Sequence, residues 1–100
     1  MACASINIFT VREQEWESFL TLQRDHFIPL LRLQPGFLEF EITRTGSGSG
    51  VAILWWESEE ARMTAAPRLH EWVNQYLDPY LLTLDNPSGP VVLSTRRPER

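Results

Sequence analysis

The sequence contains no lysine and only one cysteine, and these shortages exclude several kinds of chemistry. Without lysine, the chain cannot form a Schiff base between a side-chain amine and a carbonyl substrate. Cys3 has no partner for an internal disulfide, and a thiol so close to the N-terminus is more often incidental than catalytic. The histidines, His26 and His70, match no metal-binding motif, so we expect no metal site.

The sequence also lacks a cluster of basic residues and a long apolar run. Its formal net charge is −4, and its arginines are scattered except near the C-terminus, whereas nucleic-acid binding requires a clustered basic face. No apolar run approaches the ~20 residues that span a membrane, and the first residues lack the charged and apolar segments of a signal peptide. We therefore expect a cytoplasmic protein that binds neither nucleic acid nor a membrane.

Tryptophan is, by contrast, abundant, and the apolar fraction is ordinary for a globular protein. Four tryptophans and a hydrophobic fraction of 43% in 100 residues provide one small core, with aromatic rings to line it, an interface or a pocket. We predict a single domain over residues 1–95 and a disordered tail over residues 96–100. A core of this size is marginal, which favours a dimer.

The spacing of apolar residues predicts the element order β-α-β-β-α-β. Alternation or continuous apolar runs predict strands over residues 5–11, 37–45, 51–56 and 91–95. Helical spacing predicts one helix from about residue 13, with the stripe Trp16, Phe19, Leu20, Gln23, Phe27, Leu30 and Leu31. A second helix is predicted over residues 59–66 and 69–81. Pro29, Pro67 and Pro79 are expected to kink, interrupt or distort these helices, and Gly36 to end the first in a left-handed conformation.

This order predicts a ferredoxin-like α+β fold, in which a four-stranded antiparallel sheet carries two helices on one face. The strands have apolar residues on both sides, so the face without helices also needs a cover. We expect a homodimer in which these open sheet faces meet.

The predicted strands and helices are organised around residues 51–61 (VAILWWESEEA). A buried strand runs directly into a helix, for which Ser58 is the predicted N-cap. Trp56 would face the same side as Ala52 and Leu54, either as core filler or as the wall of an aromatic pocket. Trp55 would face the partner subunit.

Asn7 is the one amide in an otherwise apolar strand, and a buried amide requires hydrogen-bond partners. It either bonds to neighbouring backbone or points into a cavity. His26 and His70 either belong to solvated helix faces or serve as bases in that cavity.

Three segments, N-I-F-T at 7–10, Q-P-G-F at 34–37 and L-W-W-E-S-E-E-A at 54–61, resemble the antibiotic biosynthesis monooxygenase domain of the dimeric α+β barrel superfamily. The likeness covers roughly residues 4–95. It identifies the superfamily rather than the chemistry, because the superfamily also includes quinol oxygenases, haem-degrading enzymes and isomerases.

Some polyketide oxygenases that resemble this chain oxidise a phenolic ring with O₂ and use no metal or flavin. The resemblance places their first-strand Asn at Asn7 and their Trp at Trp56, but their second Asn falls on Ala52. The haem-degrading branch is less similar, because its helix Trp and His fall near Ala65 and Gln75.

The resemblance therefore implies a cofactor-independent monooxygenase that acts on an aromatic or quinol-like molecule. Asn7 would polarise a substrate oxygen, Trp56 would pack on the ring, and His26 or His70 would accept a proton. The other predicted pocket residues are Phe9, Leu54, Trp72 and Tyr76. One alternative is a dimeric module of the same superfamily that binds a small hydrophobic molecule, or is purely structural, without catalysis. Another is an isomerase or a cyclase on the same fold, which would need acid–base groups but no O₂.

Overall fold

A computed structural model describes residues 1–95, and the tail predicted over residues 96–100 lies outside the described residues. The strands of residues 1–95 are β1 (Cys3–Val11), β2 (Phe37–Arg44), β3 (Ser49–Trp56), β4 (Leu81–Asp85) and β5 (Ser88–Pro90). They form one antiparallel sheet with the order β2-β3-β1-β4, which is the predicted ferredoxin-like arrangement. The short β5 also pairs with β1, next to the residues paired with β4.

Two helical segments connect the strands of this part of the chain. The first contains a 3₁₀ turn (Glu13–Glu15), α1 (Trp16–Leu22), a π turn (Gln23–Phe27) and α2 (Ile28–Arg32). The second contains α3 (Glu59–Trp72), which continues into another π turn (Val73–Leu77). None of the helices in the described residues is long and apolar enough to cross a membrane.

Each π turn ends just before a proline. The N–H of Ile28 donates to the carbonyl of Gln23, five residues earlier, and the N–H of Asp78 donates to the carbonyl of Val73 at 3.0 Å. The next residues, Pro29 and Pro79, have no N–H, and in an α-helix each ring would clash with the carbonyl four residues earlier. A wider π turn relieves this crowding. The predicted irregularity at Pro29 and Pro79 is confirmed, whereas the predicted interruption at Pro67 was wrong, because α3 continues through this residue.

The prediction of the last strand was wrong. Residues 91–95 form no strand, and the chain instead leaves its second helix at a turn before Leu81, which was predicted to be helical. The segment that begins at Leu81 pairs with the C-terminal end of β1. The pairing then continues along β1 until Pro90 lies opposite Cys3. β1 begins at Cys3, and within residues 1–95 the pairing continues beyond it only with the N–H of Val91, which donates to the carbonyl of Ala2 at 2.8 Å.

Local signals at the ends of the helices are confirmed. The Ser58 hydroxyl accepts a hydrogen bond from the N–H of Ala61 at 3.1 Å and caps α3. Gly36 has φ of 81°, and a Cβ at this position would lie 2.6 Å from the Cβ of Ala61. Glycine therefore meets two requirements at once, a left-handed backbone and a close approach to α3.

The sheet buries the face that carries the helices and leaves the other partly open. Along β3, Ala52, Leu54 and Trp56 are buried, whereas the alternate residues are only half-buried. On the open face, Ile8 exposes 48% of its surface. The described residues therefore leave an apolar sheet face partly in contact with solvent.

Candidate active site

The buried side chains of residues 1–95 form two clusters rather than one continuous core. The first cluster consists of Cys3, Phe27, Leu31, Leu54, Trp56, Ala65 and Leu69. The second cluster consists of Phe9, Val11, Trp16, Phe19, Ala52 and Leu77. A cavity of about 400 Å³, lined by members of both clusters, lies between the sheet and the helices. Its size is within the ~300–1,000 Å³ of typical small-molecule sites.

The cavity is apolar inside and polar at its mouth. Its walls include Phe9, Phe19, Phe27, Leu54 and Leu69. The lining residues that are solvent-exposed come from the second helix and from the segment around β4 and mark the opening: His70, Asn74, Asp78, Leu84 and Asn86. A flat aromatic molecule entering between these elements would exchange water for an apolar enclosure.

Asn7 lies on the cavity wall, opposite Ala52 of the neighbouring strand. Its Oδ1 accepts a hydrogen bond from Nδ2 of Asn86, a side chain 79 residues away. The partner is thus a side chain at the mouth rather than neighbouring backbone. Because the amide oxygen of Asn7 is occupied, its Nδ2 is the group that remains to donate to a ligand.

Trp56 ends β3 and forms another part of the wall. Only 1% of its surface is exposed, and its ring packs edge-on against Phe37 with 5.6 Å between centroids. Its indole Nε1 is buried and has no hydrogen-bond partner in the described residues. Trp56 is therefore both core filler and a cavity wall that carries an unused donor.

Three buried side-chain nitrogens have no partner in the part of the chain that the structure describes, and all three belong to cavity-lining residues. They are Nε2 of Gln23, Nε1 of Trp56 and Nε of Arg62. A buried donor without a partner costs about 1–3 kcal/mol. Each such group in a folded protein calls for a partner, which a water molecule, an ion or a bound ligand supplies.

Cys3, Glu59 and Arg62 form a polar chain beside the first cluster. The Cys3 thiol donates to Oε2 of Glu59 at 3.0 Å, and Nη2 of Arg62 pairs with Oε1 of the same carboxylate. Burial, together with the hydrogen bond to Glu59, raises the pKa of the Cys3 thiol. Hydrogen bonds from Arg62 and then Cys3 lower the pKa of Glu59, and the pairing with Glu59 raises the pKa of Arg62. Cys3 is therefore a protonated structural thiol.

The structure brings together most, but not all, of the residues predicted for the site. Asn7, Trp56, His70, Phe9 and Leu54 line one cavity. The remaining three, His26, Trp72 and Tyr76, are not among its lining residues.

The positions of those three explain why they are outside. His26 is exposed on the outer side of the first π turn, in a shallow surface depression with Asp25. Trp72 stacks on Phe27, with 5.0 Å between ring centroids, and also contacts Tyr76, which is exposed to solvent. Trp72 therefore supports the wall formed by Phe27 rather than forming it.

Sequence reasoning missed Gln23, Arg62 and Asn86 as site residues. For Gln23 a signal was present, because a glutamine occupied a position of the apolar helical stripe. Asn86 gave no signal, since its role depends on a loop that returns to β1. Within residues 1–95, no group of three or more His, Cys, Asp or Glu side chains is arranged to hold a metal ion.

No protein-family model and no curated protein matches this sequence. Solved structures do match it. One is a variant of SnoaB, a cofactor-independent oxygenase from Streptomyces nogalater, with a TM-score of 0.75 and 22% identity over 96% of this chain and 98% of that chain. The chain has the fold of the antibiotic biosynthesis monooxygenases.

Two further structures support this assignment of the fold. A monooxygenase from the ActVA-Orf6 gene of Streptomyces coelicolor, solved with nanaomycin D, has a TM-score of 0.75 and 21% identity over 96% of this chain and 92% of that chain. A dimeric ferredoxin-like protein from an uncultured marine organism has a TM-score of 0.77 and 16% identity over the same shares. The predicted resemblance is confirmed at the level of the fold.

Proposed function

We propose that this protein is a cofactor-independent monooxygenase that acts on an aromatic or quinol-like substrate held in the central cavity. The observation that carries the proposal is the cavity wall, in which Asn7 and Trp56, two residues with N–H donors that have no protein partner within residues 1–95, line an apolar space of small-molecule size. Donors fixed in a site that excludes water stabilise an aromatic oxyanion strongly. The fold shared with two bacterial oxygenases supports the same activity.

In the proposed reaction, a phenolic substrate loses a proton and becomes an electron-rich anion. His70, at the cavity mouth, accepts this proton. His26 lies outside the cavity, so the proposal gives it no role. The anion transfers one electron to O₂, and the two radicals combine to form a C–O bond.

The peroxide anion takes back the proton that His70 accepted, and loss of water from the resulting hydroperoxide converts the ring CH₂ of the substrate into a carbonyl. One oxygen atom enters the product and the other leaves as water, so the four electrons that O₂ takes up all come from the substrate. The reaction therefore needs no external reductant. Asn7 Nδ2 and Trp56 Nε1 donate to the substrate oxygens, and Phe9 and Leu54 enclose the rings.

The proposed assembly is a homodimer through the open sheet face. Half-buried and exposed apolar residues on this face, including Ile8 and Ile53, support it, as does the dimeric protein of the same fold. Replacing Ile8 with Glu should produce a monomer in light scattering. A monomeric wild-type protein at micromolar concentration would contradict the assembly.

The activity is tested by oxygen uptake with 1,8-dihydroxyanthrone, whose oxidation yields the anthraquinone. We expect one O₂ consumed per quinone formed, above the spontaneous rate. Asn7→Ala should slow turnover roughly 10²–10³-fold, the usual effect of removing one oxyanion donor. The control is Thr10→Ala, because Thr10 lies on the same strand and its side chain pairs with Thr83 instead. Equal rates for the two variants would refute the role of Asn7.

A second candidate is a module that binds a small aromatic molecule without oxidising it. It is favoured by Ala52, which lies opposite Asn7 at the position where the sequence resemblance implies a second Asn. Binding of the anthraquinone without oxygen uptake from the anthrone would establish this alternative.

A further inference from the structure

We propose that Gln23 is a ligand-binding residue, whose side-chain amide donates a hydrogen bond to an oxygen of the aromatic molecule in the central cavity. This inference rests on the proposed function only for the class of ligand, not for the oxidation. Gln23 comes from the first helix, whereas Asn7 and Trp56 come from the sheet. A ligand would therefore receive donors from both layers of the fold.

The environment of Gln23 leaves its side-chain amide nitrogen without a protein partner among the described residues. The residue exposes 4% of its surface, and its Nε2 has no hydrogen-bond partner in residues 1–95. Its neighbours one turn away on either side, Phe19 and Phe27, are apolar members of the two clusters and line the same cavity. Rotation of about 180° around the terminal bond exchanges the amide nitrogen and oxygen, so the NH₂ group can turn towards a ligand.

Gln34 shows what a structural glutamine looks like in the same protein. It is also buried, with 9% of its surface exposed, but its Nε2 donates to the carbonyl of Leu30 at 3.0 Å. Gln34 therefore caps the end of α2, whereas Gln23 contributes no bond through its Nε2. An apolar residue at 23 would fill the same space without the cost of an unpaired donor.

The unpaired groups also define the chemistry of the ligand. Gln23, Trp56 and Arg62 each have a buried nitrogen donor without a partner, and the free group of Asn7 is also a donor. A ligand that satisfies them must present acceptor oxygens at more than one edge of its ring system. A hydroxyquinone or its phenolate meets this requirement, whereas an aromatic hydrocarbon of the same size does not.

The test compares two three-ring probes, 1,8-dihydroxyanthraquinone and anthracene, in fluorescence titrations of the wild type and Gln23→Met. Methionine keeps the length of the side chain and removes the amide. We expect the variant to bind the quinone about tenfold more weakly, the effect of one hydrogen bond, and anthracene within twofold of the wild type. The melting temperature without ligand should stay the same or rise.

Two glutamines serve as matched controls. Gln75 lies in the other π turn, is exposed and does not line the cavity, so Gln75→Met should change neither binding nor melting temperature. Gln34→Met should lower the melting temperature by several degrees, because it removes the hydrogen bond from Gln34 to the Leu30 carbonyl and leaves that carbonyl with only the N–H of Leu33 as a partner. All melting temperatures are compared at one protein concentration, since a dimer's stability depends on it.

The proposal is overturned if Gln23→Met weakens both probes equally, leaves quinone binding unchanged, or lowers the melting temperature as Gln34→Met does. It is also overturned if the wild type binds anthracene as tightly as the quinone, a comparison that needs no variant. None of these measurements uses turnover. A wild type that prefers the quinone but consumes no oxygen would refute the oxygenase and leave the role of Gln23 intact.

Discussion

Replacing Trp56 with Phe separates the packing role of this residue from its role as a donor. The phenyl ring preserves the edge-on contact with Phe37 and removes the unpaired Nε1. About three buried ring atoms are lost, which at ~0.8 kcal/mol per carbon-sized group destabilises the protein by about 2 kcal/mol. Removing an unpaired buried donor offsets about 1 kcal/mol of this.

The net loss in the free energy of unfolding is therefore about 1–2 kcal/mol. For a domain of this size, it corresponds to a fall in melting temperature of roughly 4–16 °C. The effect on turnover should be much larger, roughly 10²–10³-fold, because a donor to the substrate oxyanion is removed. Calorimetry measures the melting temperature and the loss of stability. Oxygen uptake with the anthrone, measured well below the melting temperature, gives the loss of turnover.

Trp72→Phe is the matched control. It makes the same chemical change in a half-buried tryptophan that packs on Phe27 but does not line the cavity. We expect a similar or smaller loss of stability and a change in turnover of less than about threefold. If both variants lose turnover in proportion to their loss of stability, Trp56 acts only through packing and the reasoning fails.

Three further predictions concern the stability and reactivity of the fold. Gly36→Ala should lower the free energy of unfolding by more than about 1–2 kcal/mol, because alanine is strained at this φ and its Cβ would overlap Ala61; a denaturant midpoint equal to the wild type would contradict this. Cys3 should react with iodoacetamide at least about tenfold more slowly in the folded protein than in urea, since it is buried with a raised pKa; equal rates would show that the thiol is accessible. The pKa of Glu59 is lowered by folding, so its contribution to stability is complete above its ordinary value of 4.5 and is lost as the pH falls through the folded value. Glu59→Gln should accordingly flatten the acid side of the stability curve relative to the exposed control Glu60→Gln, and coincident curves would refute this.

Much of the fold was predictable because its signals are local. The alternation in β3, the Ser58 cap and the left-handed Gly36 depend on residues within a few positions of one another. Pro29 and Pro79 likewise predicted irregular helices, although they did not predict that the irregularity would be a π turn. Such features follow from backbone sterics and from the period of the apolar residues.

The last strand was mispredicted because the decision is not local. Residues 81–85 and residues 91–95 both have compositions compatible with a strand. The selection was made by the turn at Pro79, which ends the second helix early and brings Leu81 directly to the edge of β1. Residues 81–85 and 88–90 therefore occupy the hydrogen-bonding edge of β1.

The sequence by itself pointed to Asn7 and Trp56, since an amide within an apolar strand and a tryptophan at a strand end are visible without a structure. Only the tertiary structure decided that Gln23 and Arg62 border the same space, that His26 lies outside it and that Asn86 orients Asn7. A cavity is a gap left when two helices pack on a sheet, so no single segment encodes it. The groups that line it are brought together by long-range contacts, and their unpaired donors become visible only when burial removes water as a partner.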